Sequence, residues 1–312
     1  MAPSLHIVAT CSDRKSHPPA VRLRDAVGRS IAERFASWRS AVRDAKGQRT
    51  AAEELYQGGY WTVVRDLPAV ATSMGWRPNL WVSSAGYGIV SNTEGLVPYS
   101  ATFATGHADS VAGASRDDQA TRQWWRCATS GRGALGRSMC SIVESDPGST
   151  ILVLASPIYL RAMAADLAAS ISAFRGRGAL FIVSSRVPSS EPSLAECWLP
   201  SHATQQAALG GALVSLHARA VRHLLRAVSP RDFVKENLSI MSKELEGEAG
   251  ETRKRSPGAA MTDDDVLAFI RTHLATDPKA SHTGLLRQLR ASGRACEQSR
   301  FRQLFKQVKP NR

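Results

Sequence analysis

The N-terminal residues 5–15, LHIVATCSDRK, join an apolar run to a cluster of reactive side chains. Residues 5–9 are typical of a buried β-strand, and the polar residues after them include a thiol at Cys11, a carboxylate at Asp13 and an amine at Lys15. The cluster has no glycine that could cradle a phosphate. Any chemistry at this position therefore depends on side chains.

Three chemistries fit the cluster. Asp13 could polarise a water for attack at the anomeric carbon of a sugar, and Lys15 could act as an amine nucleophile or hold a phosphate. Cys11 could be a covalent nucleophile if Arg14 or Lys15 stabilises its thiolate. Each residue also has a structural interpretation, with Cys11 as a small buried residue, Asp13 as the cap of a turn and Lys15 in solvent. The local sequence leaves these alternatives open.

Strand-like and helix-like patterns alternate over the first 230 residues. The predicted strands are residues 5–9, 79–83, 150–155 and 179–183. The predicted helices are residues 20–45, 62–74, 161–174 and 201–228, and residues 115–144 are mostly helical, with breaks at Gly131, Gly133 and Gly136. This alternation favours parallel strands joined by right-handed crossovers. The predicted fold class is α/β, with a four-stranded parallel sheet and helices on both faces.

Small polar residues follow all four predicted strands. Because the carboxyl ends of parallel strands meet at one edge, we expect these residues to share a crevice. They are Cys11, Ser84, Ser156 and Ser185. Tyr87 and Tyr99 suit a pocket with aromatic walls, and the alternative is an ordinary Gly-rich turn above two packed tyrosines.

The net charge is +13, from 40 Lys+Arg and 27 Asp+Glu. This balance favours a polyanionic partner, foremost nucleic acid, because neutralising phosphates releases counterions. A basic chain that is charged only for solubility is the alternative. The five cysteines are scattered, without CxxC spacing, which predicts neither a zinc site nor a disulfide framework. We expect no metal, no cofactor, no membrane segment and a cytoplasmic location.

The C-terminal part of the chain has a different composition. The predicted organisation is an α/β catalytic domain at 1–243, a charged, Gly-rich linker at 244–260 and a basic helical module at 261–312. Three short helices in the module resemble a helix-turn-helix or winged-helix unit. Arg294, Arg300, Arg302 and Lys306 are its candidate DNA contacts. The alternative is a three-helix bundle that docks on the main domain.

The spacing Cys11-x3-Lys15, followed by Ser16 and His17, resembles the core motif of archaeosine synthase. In that motif a cysteine is followed four places on by a lysine that acts on a 7-deazaguanine nitrile. Further motifs resemble bacterial proteins of the same superfamily, over about residues 5–225. They are Leu55-Tyr56, Ser84-Ala85-x-Tyr87-Gly88, Pro98-Tyr99 and the segment that begins at Leu209-Gly210-Gly211.

The resemblance implies a fold similar to uracil-DNA glycosylase, with the active site at the carboxyl ends of four parallel strands. It also implies a bacterial phage-defence DNA glycosylase that excises a modified cytosine such as glucosylated 5-hydroxymethylcytosine. Asp13 stands where uracil glycosylases place a water-activating acid, but the surrounding Gly-Gln-Asp-Pro-Tyr-His pattern is absent. Composition and spacing alone imply only an enzyme that acts on nucleic acid.

A glycosylase flips its target base out of double-stranded DNA into a pocket. The candidate base-stacking residues are Tyr87, Tyr99 and Tyr159, and the candidate base or sugar contacts are Ser12, Ser84 and Ser185. In the main domain, Arg219 and Arg222 are candidate backbone contacts, and Arg186, with Val187 and Pro188, could wedge the duplex. The alternatives are 7-deazaguanine-type modification of tRNA or DNA by Lys15, and a non-enzymatic DNA-binding regulator. No obligate protein partner is predicted.

Overall fold

The computed structural model describes residues 2–113, 118–174, 176–247, 259–278 and 280–309. The chain forms two compact units, Met1–Gly250 and Glu251–Arg312. No helix in the described ranges is both long enough and apolar enough to span a membrane. Within the same ranges, no three His, Cys, Asp or Glu side chains lie close enough together to hold a metal ion.

A six-stranded sheet forms the centre of the first unit. Its strands are β1 (Ser4–Thr10), β2 (Arg77–Ser84), β3 (Gly88–Ser91), β4 (Thr150–Leu154), β5 (Ala179–Ser184) and β6 (Trp198–Pro200). Their spatial order is β6-β5-β4-β1-β2-β3, and all neighbours are parallel except β2 and β3. The four predicted strands are present, but the sheet has six strands rather than the predicted four. The two additional strands are four and three residues long, too short for a clear hydrophobic pattern.

The carboxyl ends of the central strands lie level with one another. Ala9 of β1 pairs with Leu154 of β4, and Leu154 pairs with Val183 of β5. On the other side, Thr10 pairs with Ser83 of β2. Chain segments that leave these strands therefore begin at one edge of the sheet.

Seven helices of more than four residues are described in the first unit. They are α1 (Ile31–Asp44), α2 (Gly59–Ser73), α3 (Asp118–Thr129), α4 (Met139–Ser145), α5 (Pro157–Ala173), α6 (Leu216–Ala227) and α7 (Lys235–Gly247). The predicted helices 20–45 and 201–228 are both too long. The first begins only at Ile31, where Ser30 accepts a hydrogen bond from the Glu33 amide. The second is interrupted by Gly210 and Gly211, which both have positive φ angles.

The order of the parallel strands reverses direction at β1. The chain adds β2 on one side of β1 and then β4, β5 and β6 on the other. Right-handed crossovers in two directions place α2 on one face of the sheet and α5 on the other. Helix α6, which follows the last strand, packs on α2, whereas α5 packs on α3 and α4. A ligand crevice is expected where the direction changes, between the carboxyl ends of β1 and β4.

The second unit contains α8 (Asp263–Thr276), α9 (His282–Ala291) and α10 (Gln298–Val308). Two-residue strands, β7 (Ala259–Ala260) and β8 (Arg294–Ala295), pair in parallel. Thr262 and Asp265 form a capping box at the start of α8. The core of the second unit consists mainly of Val266, Ile270, Leu285, Leu286, Leu289 and Phe301. In the predicted linker, the first four residues belong to α7 and residues 248–258 lie outside the described residues. The helix-turn-helix assignment stays a prediction.

Candidate active site

The polar segment after β1 is anchored on both sides by backbone hydrogen bonds. The Cys11 amide donates to the Ser83 carbonyl at 2.9 Å, which extends the contact between β1 and β2 by one residue. Lys15 then forms an isolated antiparallel bridge with Tyr56, and the Gln57 amide donates to Arg14 at 2.9 Å. The segment is therefore a defined loop at the sheet edge.

Three hydroxyl groups form a buried chain beneath this loop. The Tyr99 hydroxyl lies 2.9 Å from that of Tyr56 and 2.6 Å from the Ser84 Oγ. Ser84 Oγ also accepts hydrogen bonds from the amides of Gly86 and Tyr87, both at 3.1 Å. A Cβ at Gly86 would lie 2.6 Å from the Tyr99 ring, so this close approach requires glycine. These hydrogen bonds and the contact with Gly86 fix the position of the Tyr99 ring beneath the loop that follows β1.

The indole groups of two buried tryptophans hold the same turn from below. Trp38 Nε1 donates to the Gly86 carbonyl at 2.8 Å, and Trp124 Nε1 donates to the Ala85 carbonyl at 2.7 Å. Both side chains are fully buried. Because each buried N–H finds a carbonyl, the turn after β2 has one well-defined conformation.

Lys15 is the central charged group of the site. Its Nζ lies 4.5 Å from the centroid of the Tyr99 ring and 5.8 Å from that of Tyr56. It donates hydrogen bonds to the carbonyls of Ser12 at 3.1 Å and Asp13 at 3.4 Å. In the part of the chain that the structure describes, no carboxylate forms an ion pair with Lys15.

Burial lowers the pKa of Lys15, and the neighbouring Cys11 and Asp13 only partly oppose this effect. At a given pH, a larger fraction of Lys15 is therefore in the neutral amine form than for an exposed lysine. A desolvated amine of this kind is a nucleophile or a base. The geometry thus favours Lys15 over Asp13, whose side chain is exposed, as the reactive group.

Cys11 and two more tyrosines form the side of the site at β4. The Cys11 Sγ lies 3.0 Å from the Tyr159 hydroxyl, and Tyr159 is 9% exposed. The Tyr60 hydroxyl accepts from the Thr10 amide at 3.2 Å and donates to the Leu154 carbonyl at 3.4 Å. It therefore bridges the carboxyl ends of β1 and β4. We call the following residues the strand-end site: Cys11, Lys15, Tyr56, Tyr60, Tyr99 and Tyr159.

The phenols of the strand-end site supply no negative charge. Burial raises the pKa of Tyr56, Tyr99 and Tyr159 well above the ordinary value of 10.0. Burial likewise raises the pKa of Tyr60 to about 12. These hydroxyls stay protonated at neutral pH and act only as neutral hydrogen-bonding groups.

The predicted base and sugar contacts divide into buried and exposed groups. Ser84 is fully buried in the hydroxyl chain, and the Tyr87 hydroxyl is occupied by the backbone of Val97. Ser12 Oγ has the carbonyls of Arg14 and Gln57 as acceptors. Ser84 and Tyr87 are both buried and support the site from within, so Ser84 is not free to contact a base or sugar and Tyr87 is not free to stack on a base.

Ser185 does not join the strand-end site. It is exposed after β5, and β5 lies two strands from β1, roughly 10 Å at ordinary strand spacing. The single crevice predicted from four strand ends is therefore too broad. The groups that meet come mainly from the ends of β1, β2 and β4.

The predicted DNA contacts of the first unit differ in accessibility. Arg186 is exposed, and Arg222 lies 4.0 Å from Asp66 as a partly exposed ion pair. Arg219 is only 7% exposed and donates to Ser215 Oγ at 2.5 Å and to the Ala212 carbonyl at 2.8 Å. The assignment of Arg219 to a DNA phosphate is therefore corrected to a structural role.

In the second unit, Arg294, Arg302 and Lys306 are exposed. Arg300 forms an ion pair with Asp263 at 2.7 Å and donates to the Met261 carbonyl at 3.0 Å. Three of the four predicted basic contacts are thus free of this internal pairing.

Tyr56 and Tyr60 are the site residues that sequence reasoning missed. Tyr56 belongs to the Leu55-Tyr56 motif but has no predicted role, and Tyr60 follows Gly58-Gly59 without any strand-end signal. Their partners Tyr99 and Leu154 lie 43 and 94 residues away in sequence. Only the tertiary structure shows these contacts.

A cavity of about 650 Å³ lies elsewhere, between α3 and α5. Its lining includes Arg122, Arg126 and Asp166. Asp166 accepts hydrogen bonds from the Trp125 indole and the amides of Met139 and Cys140, so its carboxylate serves to join helices. The side chains of the strand-end site do not line this cavity.

No protein-family model matches the chain, and comparison with curated proteins and with solved structures finds no match either. The case for function therefore depends on the geometry and charges of the chain itself.

Proposed function

We propose that this chain is a DNA glycosylase that excises a hypermodified cytosine, such as glucosylated 5-hydroxymethylcytosine, in defence against phage. The observation that carries the proposal is the Lys15 amine. It lies over Tyr99 at the carboxyl end of the central strand, beside the point where the strand order reverses, and burial lowers its pKa. This is where ligands bind in open α/β sheets.

The charge of the chain supports DNA as the substrate. A net charge of +13 favours a polyanion, and the exposed Arg294, Arg302 and Lys306 give the second unit a sequence-independent affinity for phosphates. The resemblance of the Cys11-x3-Lys15 motif to enzymes of modified guanine supports a nucleobase as the group at the site. The choice of a modified cytosine comes from that resemblance.

In the proposed reaction, Lys15 Nζ forms a bond to C1′ of the flipped nucleotide while the bond from C1′ to the base breaks. The bonding electrons leave with the base, which takes up a proton from water. The C1′–O4′ bond then opens, O4′ receives one of the two protons on Nζ, the hydroxide left by that water takes the other, and an imine forms. Water hydrolyses this imine, which releases the Lys15 amine and leaves an abasic sugar.

The test compares DNA that contains glucosylated 5-hydroxymethylcytosine with unmodified DNA of the same sequence. We expect abasic sites only in the modified DNA, and sodium borohydride should trap a covalent complex with the protein. Lys15→Ala should abolish both signals, whereas Asp13→Asn should retain trapping. Equal inertness of the wild-type protein on both DNAs would refute the proposal.

Two outcomes would reassign the chemistry of the site. Abasic sites without a trapped complex, lost in Asp13→Asn, would show hydrolysis by a water that Asp13 activates. A covalent Lys15 adduct with a 7-deazaguanine nitrile, and no abasic sites, would favour the second candidate, base modification. The position of Cys11 and Lys15 at one strand end is what supports that candidate. Sequence-specific DNA binding without any reaction would indicate a regulator.

A further inference from the structure

The cavity of about 650 Å³ between α3 and α5 has a basic wall. Arg122 and Arg126 line it from α3, four residues apart and therefore on the same face of the helix. Side chains at this spacing have Cβ atoms about 5–6 Å apart, so both guanidinium groups can reach one phosphate group. We call the interhelix cavity the space lined chiefly by Arg122, Arg126, Ala162, Ala165, Asp166 and Ala169.

Both arginines of the interhelix cavity have unused hydrogen-bond donors. Arg122 Nη2 donates to Ser190 Oγ at 3.2 Å, whereas its buried Nε has no acceptor in the part of the chain that the structure describes. Arg126 is exposed, and neither arginine belongs to an ion pair of the described residues. Because a guanidinium has five N–H donors, each of these groups can bind a further anion.

The opposite wall of the interhelix cavity is small and apolar. Ala162, Ala165 and Ala169 lie on one face of α5, at intervals of three and four residues. Helices α3 and α5 pack on each other, and the axes of packed helices are about 8–10 Å apart. At this separation alanine side chains leave space that a leucine would fill. The alanines therefore account for the open volume and give it an apolar wall for a planar group.

Asp166 supplies a hydrogen-bond acceptor in the interhelix cavity. Its Oδ2 accepts from the Trp125 indole at 3.0 Å and from the Met139 amide at 2.9 Å. Among the described residues, its Oδ1 accepts only from the Cys140 amide, at 3.2 Å. A carboxylate oxygen has two lone pairs, so Oδ1 can accept one more hydrogen bond, from a hydroxyl or amino group of a ligand.

We infer that the interhelix cavity binds a nucleoside monophosphate. The phosphate lies between Arg122 and Arg126, the base lies against the alanines, and a sugar hydroxyl or amino group donates to Asp166. Inorganic phosphate is too small to contact both helices. Duplex DNA needs a protein surface of about 1,000 Å² or more, whereas this cavity has the size of a small-molecule site. The inference does not depend on the proposed function, because the strand-end site does not line this cavity.

The test is isothermal titration calorimetry of the full chain with ribonucleoside and deoxyribonucleoside 5′-monophosphates. We expect at least one of them to bind with a Kd of about 1–100 μM. It should bind at least about tenfold more tightly than inorganic phosphate or its own nucleoside, because only the nucleotide uses both walls. Absence of binding by every monophosphate would overturn the inference, as would equally tight binding of inorganic phosphate.

Two variants locate the bound nucleotide. Arg126→Gln removes charge-assisted hydrogen bonds to the phosphate, and Ala165→Leu fills the space beside the base, so each should weaken binding about tenfold or more. Both positions are exposed, so both variants should fold. The matched controls are Arg43→Gln and Ala36→Leu, at exposed positions of α1, and they should bind the nucleotide as wild type does.

Unchanged affinity in Arg126→Gln or in Ala165→Leu would overturn the inference. The Lys15→Met variant should keep wild-type affinity for the nucleotide. Binding that is lost in Lys15→Met but kept in Ala165→Leu would place the nucleotide at the strand-end site, which would also overturn the inference. Nucleotide binding by a protein that forms no abasic sites would refute only the proposed function.

Discussion

Two charged groups in the first unit have opposite surroundings. Asp109 is fully buried and accepts two hydrogen bonds from the Arg24 guanidinium, at 2.9 and 2.7 Å, one from the Arg24 amide and one from Ser100. Lys15 is half-buried over aromatic rings, and its acceptors among the described residues are backbone carbonyls alone. One buried charge is compensated and the other is not.

The pKa shifts show what this difference means. Hydrogen bonds from Arg24 hold the pKa of Asp109 far below its ordinary value, so the native state favours the charged form. Burial lowers the pKa of Lys15, so the native state disfavours the charged form there. A compensated charge stabilises the fold, because it joins the segment around Ser100 to that around Arg24. An uncompensated charge costs stability and is typical of a reactive site.

The largest expected effect comes from Lys15→Met. We expect formation of abasic sites to fall by about 100-fold or more, since a group at the reacting atoms is lost. The free energy of unfolding should stay equal or rise, because an uncompensated charge is removed. Kinetics on modified DNA and urea unfolding measure the two effects. Lys46→Met, at an exposed position, is the control; a clear loss of stability in Lys15→Met would break the comparison.

Asp109→Asn should have the opposite profile. Removing the charge leaves the buried Ser100 hydroxyl and the Arg24 guanidinium with a weaker acceptor, and we expect the free energy of unfolding to fall by about 1–3 kcal/mol. Activity per folded molecule should persist, because Asp109 is not part of the strand-end site. Urea unfolding measures the loss, and Asp25→Asn, at an exposed position, should leave stability unchanged. An inactive but fully stable Asp109→Asn protein would contradict this prediction.

Tyr99→Phe separates the hydroxyl chain from the ring beneath Lys15. The variant leaves the Tyr56 hydroxyl buried without its Tyr99 partner, and we expect a stability loss of about 1 kcal/mol. The ring stays under the Lys15 amine, so activity should change much less than in Lys15→Met. Thermal and urea unfolding together with the excision assay test this. An activity loss equal to that of Lys15→Met would place the hydroxyl in the reaction itself.

The smallest effects should appear in the pH dependence of stability. The contribution of Asp109 is present above the unfolded value of 3.8 and is lost as the pH falls toward the lowered native pKa. For Lys15 the unfolded chain keeps its proton up to about the ordinary value of 10.5, whereas the native state loses it earlier. Stability should therefore rise with pH between the native pKa and 10.5. We expect urea unfolding of the Lys15→Met variant to show no rise in stability between the native pKa of Lys15 and 10.5. The loss of stability at low pH, which comes from Asp109, should remain.

The sequence by itself determined the repeating parts of the fold. Uninterrupted apolar runs locate β1, β2, β4 and β5 within two residues, because buried parallel strands must be apolar on both faces. The same reasoning locates the reactive cluster immediately after β1. The short edge strands β3 and β6 escape this reasoning, since three or four residues carry too little pattern.

Only the tertiary structure decided which polar groups meet. The Tyr99 hydroxyl joins Tyr56 to Ser84 through hydrogen bonds. Ser185 also comes at the end of a predicted strand, but that strand lies farther from β1 and Ser185 does not join the site. The basic pattern of α6 predicts Arg219 at the surface, yet Arg219 is buried and donates a hydrogen bond to the Ala212 carbonyl. Local pattern reflects burial along one element, whereas hydrogen-bond partners and charge compensation depend on segments far apart in the chain, which only packing brings together.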